Sequence, residues 1–274
     1  ASPAGTAAVS PAAAPSNAAP AATGETPVAP ASTEAGAPSP SPTEKKPRPV
    51  VTLTEAQKKE VSKLLFEGAK LENNSKIQDS IVAYVKVLQI DPNNITAYDG
   101  KGRLQMRMMS YPDALDAFEN IVDIDPKNAD AWTGIGKCKM ELKDFDASIK
   151  AYEQAITLKP KMELAISGLA ATYFYQGHNT ADKEKRIAAY KKSVELYKKA
   201  IEADDKMQGN YKKLLDSAKI WWELDNNNQD AVKEAVAAAD MFNKKFPNDK
   251  RLAPAMESMI KQMQTKPTDG QPIQ

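Results

Sequence analysis

Apolar side chains recur every three or four residues through most of this chain, which is the spacing of one face of an amphipathic helix. Phe145–Leu158 shows the pattern clearly, and Lys159-Pro160 ends it because the residue before a proline avoids the α region. A second apolar stripe precedes it in Trp132–Met140, and Asp144 stands where it can cap the following helix. The pattern predicts two helices joined by a short turn.

The same arrangement returns at intervals of 34 residues. The recurring positions are an aromatic residue, two glycines and a turn marked by proline: Tyr84, Phe118 and Tyr152; Gly68, Gly102 and Gly136; Gly100, Gly134 and Gly168; Asp91-Pro92, Asp125-Pro126 and Lys159-Pro160. A mid-helix glycine costs about 1 kcal/mol relative to alanine, so its return in each copy indicates close packing between helices. A fixed period in this range predicts an array of stacked helix pairs.

The best copy, residues 129–162, carries Trp132 and Tyr152 at spacings that resemble the tetratricopeptide repeat, and the resemblance covers roughly residues 61–247. It implies an all-α fold, a right-handed superhelical array of antiparallel helix pairs (a tetratricopeptide-like solenoid). About five pairs and a C-terminal capping helix are expected. The expected pairs occupy residues 61–94, 95–128, 129–162, 163–206 and 207–248.

The fourth and fifth pairs depart from the regular copies. An insertion of about 11 residues beginning at Asn179 replaces the expected short turn, and His178 is expected to be a turn residue there. Lys183–Ala203 is predicted as one long helix with a lysine-rich face, which is either solvated or docks an acidic partner or an anionic membrane surface. The fifth pair contains Trp221-Trp222, and Leu252–Met263 is predicted as the capping helix.

Composition changes outside the array. Residues 1–50 are mostly Ala, Pro, Ser and Thr and cannot bury enough apolar surface to offset the entropy lost on ordering. They are predicted as a disordered tether, followed by the folded array at 51–264 and a disordered tail at 265–274. Such tethers commonly separate a folded domain from a second domain or a membrane anchor, so a membrane tether upstream of residue 1 is one expectation. The Ala/Pro-rich start, the absence of an initiator methionine and the single cysteine favour the periplasm or cell envelope of a bacterium, with a cytoplasmic location as the alternative.

Charge and residue chemistry exclude several functions. The 37 basic and 36 acidic residues nearly cancel, which argues against a nucleic-acid partner, and no apolar run is long enough to span a bilayer. Cys138 is the single cysteine and His178 the single histidine, so a metal site is not expected. No nucleophile–base pair or phosphate-binding loop stands out, so neither enzymatic activity nor a cofactor is expected.

The resemblance places a binding groove along the first helices of the pairs. The side chains expected to line it are cationic, acidic, apolar and aromatic: Asp99, Arg103, Met106, Arg107, Thr133, Lys137, Met140, Glu141, Phe174 and Tyr175. Guanidinium groups beside polarisable and aromatic side chains suit a peptide or protein segment with acidic and apolar residues. The two-carboxylate clamp of tetratricopeptide co-chaperones is not matched, because Leu65 and Gly100 stand at two of its positions.

Two functions remain. The first is a non-enzymatic scaffold that binds a protein partner in this groove, within a bacterial envelope or secretion assembly. The alternative is a homo-oligomeric structural module that assembles through the long basic helix at 183–203 or a Trp221-Trp222 surface.

Overall fold

A computed structural model describes residue 48 and residues 51–265 of the chain, all within one compact unit that begins at Arg48. The tether predicted for residues 1–50 and the tail predicted for 265–274 lie almost entirely outside the described residues. None of the described helices is both long and apolar enough to cross a membrane.

Residues 51–265 form eleven α-helices and no strand. In chain order the helices are α1 Glu55–Asn73, α2 Ile77–Ile90, α3 Ile95–Arg107, α4 Tyr111–Ile124, α5 Ala129–Glu141, α6 Phe145–Leu158, α7 Glu163–Asn179, α8 Lys183–Ala203, α9 Gln208–Leu224, α10 Gln229–Lys245 and α11 Leu252–Thr265. Each helix packs against the next along the chain. The described residues thus confirm an all-α array of five helix pairs followed by one further helix. We call the first helix of each pair the A helix and the second the B helix.

Local signals explain where the helices begin and turn. Thr54 caps α1 in a reciprocal arrangement with Gln57, and Asp144 caps α6 by accepting a hydrogen bond from the Ala147 amide, as predicted. The turns inside the first three pairs each contain one residue with a left-handed backbone, again 34 residues apart: Ser75, Met109 and Lys143. The period therefore extends to backbone conformation.

The insertion in the fourth pair is not a loop. Helix α7 is four residues longer than α5 and α8 is seven residues longer than α6, so the extra residues continue the two helices. The expectation of a turn at His178 is therefore wrong. His178 lies in the last turn of α7, where its Nδ1 atom is 2.8 Å from the Tyr190 hydroxyl.

The surfaces predicted for self-assembly are largely used inside the chain. Trp221 and Trp222 are both buried, so they cannot present an exposed aromatic face. On the basic helix α8, the Lys191 ammonium lies 5.0 Å from the centre of a Trp221 ring, and Lys198 lies 3.1 Å from Glu234. Part of the lysine-rich face thus points towards α9 and α10 of the same chain.

Candidate functional site

The A helices α3, α5, α7 and α9 surround a cavity of about 790 Å³, which we call the A-helix cavity. A cavity of this size lies within the range that binds ligands in proteins. The A helices of neighbouring pairs also contact each other directly, α3 with α5 and α5 with α7. The cavity therefore lies along the side of the array where the groove is predicted.

The floor of the A-helix cavity is aromatic because two wall positions lack a side chain. A Cβ atom added at Gly134 would stand 2.7 Å from the Phe118 ring, and one added at Gly168 would stand 2.4 Å from the Tyr152 ring. Any larger residue would collide with these rings and cover them. The glycines thus allow close packing and also let Phe118 and Tyr152 line the cavity.

Seven of the ten residues predicted for the groove line the A-helix cavity: Asp99, Arg103, Met106, Thr133, Lys137, Met140 and Tyr175. The other three do not line it. Arg107 reaches back to Glu72 at 3.7 Å, Glu141 pairs with Lys137 at 3.0 Å, and Phe174 packs against the ring of Tyr190.

The predicted cations are held by carboxylates of the same chain. Arg103 donates hydrogen bonds to Asp99 and to Glu72, both at 2.9 Å. Lys137 lies 3.0 Å from Glu141. These pairs place charge on the wall of the cavity, but little of it is left uncompensated.

Lys213 of α9 is a cavity residue that the sequence did not reveal. The Tyr211 hydroxyl bonds the carbonyl oxygen six residues earlier, as the Trp132 indole does in its own repeat, so Tyr211 corresponds to Trp132. Lys213 then occupies the position of Gly134 and Gly168. The longer helices of the fourth pair shift this register by 11 residues, which hid the correspondence.

The ammonium group of Lys213 is poorly compensated. It makes no ion pair shorter than 4 Å with the described residues. Its pKa lies below the ordinary value, first because the surrounding protein removes water from the ammonium group and second because Lys137 is nearby. Two cations beside an aromatic floor form a site suited to an anion that carries apolar groups.

The described residues offer little that would support a redox role or a metal site. Burial raises the pKa of the Cys138 thiol to about 12, so the reactive thiolate is absent at neutral pH. Among the described residues, no group of three or more His, Cys, Asp and Glu side chains could hold a metal ion.

Comparison with known proteins supports the fold. The family model described as tetratricopeptide repeat matches residues 129–162. One crystal structure of MamA is 23% identical, with a TM-score of 0.59 over 71% of this chain and 98% of its own. A second MamA structure is 25% identical, with a TM-score of 0.54 over 65% of this chain and 95% of its own.

YrrB, a tetratricopeptide-repeat protein with an unusual peptide-binding site, is 16% identical, with a TM-score of 0.53 over 74% of this chain and 98% of its own. None of the curated proteins matches the sequence. Residues 129–162 thus match the tetratricopeptide repeat, and the described residues have the helical solenoid fold of the MamA and YrrB structures.

Proposed function

We propose that the chain is a non-enzymatic scaffold that binds an acidic and apolar peptide segment of a partner protein in the A-helix cavity. Proteins of this fold generally mediate protein–protein interactions and are generally not enzymes themselves. The observation that carries the proposal is the position of Lys213, a cation without a close ion pair among the described residues, near Lys137 and in a cavity lined by the rings of Phe118 and Tyr152.

The acidic and the apolar side chains of such a segment are expected to contact different parts of the cavity wall. A carboxylate between Lys137 and Lys213 relieves the repulsion between two ammonium groups and returns the pKa of Lys213 towards its ordinary value. Apolar side chains of the segment pack on Tyr152 and on Met140, whose flexible thioether adapts to different shapes. Binding is therefore expected to weaken with salt and to tolerate variation at the apolar positions.

We further propose that the scaffold is tethered and works in a bacterial envelope or secretion assembly. The Ala/Pro-rich composition of residues 1–50 supports this setting.

Affinity capture with the full chain tests the proposal. The double variant Lys137→Glu/Lys213→Glu reverses the charge of both cavity lysines, and we expect it to lose the captured partner while it keeps its helical circular dichroism. The control Lys86→Glu/Lys150→Glu changes the net charge equally at two exposed lysines outside the cavity and should retain the partner. A partner that binds parent, variant and control equally would contradict the proposal.

A further inference from the structure

The exposed ring of Phe66 on α1 breaks a rule that the inner repeats keep. Counting by the period of 34, Phe66 corresponds to Gly100, Gly134 and Gly168. In the inner repeats each of these glycines receives an aromatic ring from the B helix of the preceding pair, at a distance that leaves no room for a Cβ atom. In α1 the same position carries phenylalanine, and its side chain is 74% exposed.

Within the described part of the chain, no B helix covers α1 at this end of the array. Each inner A helix is covered on this side by the preceding B helix, α3 by α2, α5 by α4 and α7 by α6. Among the described residues no helix precedes α1, whereas α11 packs on α10 and α9 at the other end. End repeats of solenoids usually show a polar outer face, and the exposed phenylalanine departs from that pattern.

Phe66 also determines how a helix can pack there. In the inner repeats the B helix supplies the ring and the A helix supplies the glycine. At α1 the A helix supplies the ring, so a regular B helix with its own aromatic residue would collide with Phe66. A docking helix must instead carry a small residue opposite Phe66.

The side chains around Phe66 determine which charge a docking helix should carry. One turn away on either side, the helical spacing places Ser62 and Ala69 along one flank of the ring and Lys63 and Lys70 along the other. All four positions are exposed. Lys63 makes one long contact, 3.8 Å, with Glu60, and its side chain remains 72% exposed. Two lysines beside a phenylalanine favour a partner with acidic residues along one edge of its apolar stripe.

We propose that the face formed by Ser62, Lys63, Phe66, Ala69 and Lys70, which we call the α1 end face, docks an amphipathic helix of a partner protein. The helix has a small residue opposite Phe66 and acidic residues opposite Lys63 and Lys70. It takes the place that a preceding B helix takes in the inner repeats. This site is separate from the A-helix cavity, whose lining begins at Ile95.

Fluorescence anisotropy with synthetic helices tests the α1 end face. The probe is a labelled helical peptide of about 18 residues, or five turns. It has a leucine and alanine stripe with alanine at its centre and glutamates along both edges. A matched peptide carries lysines in place of the glutamates. The full chain is expected to bind the glutamate peptide, more weakly as salt increases, and not the lysine peptide.

Variants separate the α1 end face from the rest of the molecule. Phe66→Ala should weaken binding of the glutamate peptide by about tenfold or more, as expected for a central aromatic anchor. Lys63→Glu/Lys70→Glu should abolish binding of the glutamate peptide, because both charges then repel it. Val82→Ala, at an exposed valine on α2, should leave it unchanged, and so should Lys137→Glu/Lys213→Glu. Both Phe66→Ala and the Lys63 and Lys70 changes lie at exposed helix positions, so each variant is expected to fold.

Two results would overturn the proposal. One is equal affinity of the parent and Phe66→Ala for the glutamate peptide, or no binding by either. The other is self-association of the parent in sedimentation velocity that Phe66→Ala abolishes, because the occupant would then be a second copy of this chain.

Discussion

The regular repeats at 61–162 and the later part of the array at 163–265 solve the same packing problem differently. In the regular part each aromatic ring lies between two glycines; Tyr152, for example, packs on Gly136 of its own pair and Gly168 of the next. In the later part Tyr197 takes the role of Tyr152, but Ala170 and Lys213 stand at the two glycine positions. The loss of the second glycine thus places a cation in the cavity wall.

The hydrophobic cores differ accordingly. The first pairs contribute two small clusters, one around Tyr84 and one around Phe118. From Met140 onward most of the buried apolar residues form a single cluster that continues to Met263. The A-helix cavity spans the boundary, because α3 and α5 belong to the regular part and α7 and α9 to the later part. The regular period thus builds a scaffold, while the break in the period places Lys213 in the cavity.

The largest expected effect is on cooperativity. Phe242→Ala removes a fully buried ring from the continuous cluster and should destabilise the protein by about 3–5 kcal/mol. Hydrogen exchange should show α8 to α11 losing protection together, since they share one core.

Tyr84→Ala is the matched variant in the regular part. Its loss of protection should stay within α1, α2 and α3, which share the small cluster around Tyr84. If the loss of protection extends over equally many helices in Phe242→Ala and Tyr84→Ala, the two parts do not differ in cooperativity.

The glycine positions give the next largest effect. Gly168→Ala places a Cβ atom 2.4 Å from the buried Tyr152 ring and should cost about 1–3 kcal/mol in urea unfolding. Gly209→Ala, also within a helix, meets no atom within 4 Å and should be neutral or stabilise by up to about 1 kcal/mol. If both substitutions stabilise the protein, the close packing at Gly168 is not a constraint.

Removal of a buried hydroxyl group should lower stability by a smaller amount, and by more in the later part of the array than in the regular part. The Ser193 hydroxyl donates to the Ala170 carbonyl at 2.9 Å and lies 3.0 Å from the Ser217 hydroxyl, which joins α7, α8 and α9. Ser193→Ala should therefore cost about 0.5–1.5 kcal/mol in thermal unfolding. Ser80→Ala removes one bond to Gly68 within the first pair and should cost less. A larger loss for Ser80→Ala would contradict the order.

The Cys138 thiol should leave stability unchanged at neutral pH and lower it in alkali. Its pKa is about 12 in the folded chain against 9.0 ordinarily, because burial disfavours the thiolate. Below pH 9 both states hold the proton; above it the unfolded state releases the proton first, so stability falls as pH rises. The expected loss is on the order of 1 kcal/mol at pH 10. Cys138→Ala should lack this contribution, and identical pH profiles for the two proteins would refute it.

Much of the fold could be predicted from sequence because its signals are local. The bounds predicted for the helices Phe145–Leu158 and Lys183–Ala203 are confirmed, since periodicity and proline or aspartate near the ends determine them. The turn at His178 was wrong, because continuing α7 buries Gly177 against Tyr190, a contact between residues far apart in the pattern.

The candidate site was less predictable because it depends on contacts between repeats. Arg103 pairs with Glu72, which lies on a different A helix. This pairing depends on how far the two side chains extend and not on the spacing of residues in the sequence. Lys213 required the register of the fifth pair, which the longer helices of the fourth pair obscure. Whether the predicted groove residues bind a partner remains a prediction.

Peptide selection against the full chain tests whether the A-helix cavity binds acidic and apolar segments. A random library displayed on phage would be selected on the parent and, in parallel, on Lys137→Glu/Lys213→Glu. We expect the parent to enrich peptides with an acidic residue beside apolar or aromatic residues, and the variant not to bind them. Enriched peptides that lack acidic residues and bind the variant equally well would contradict the assignment of the A-helix cavity as the binding site.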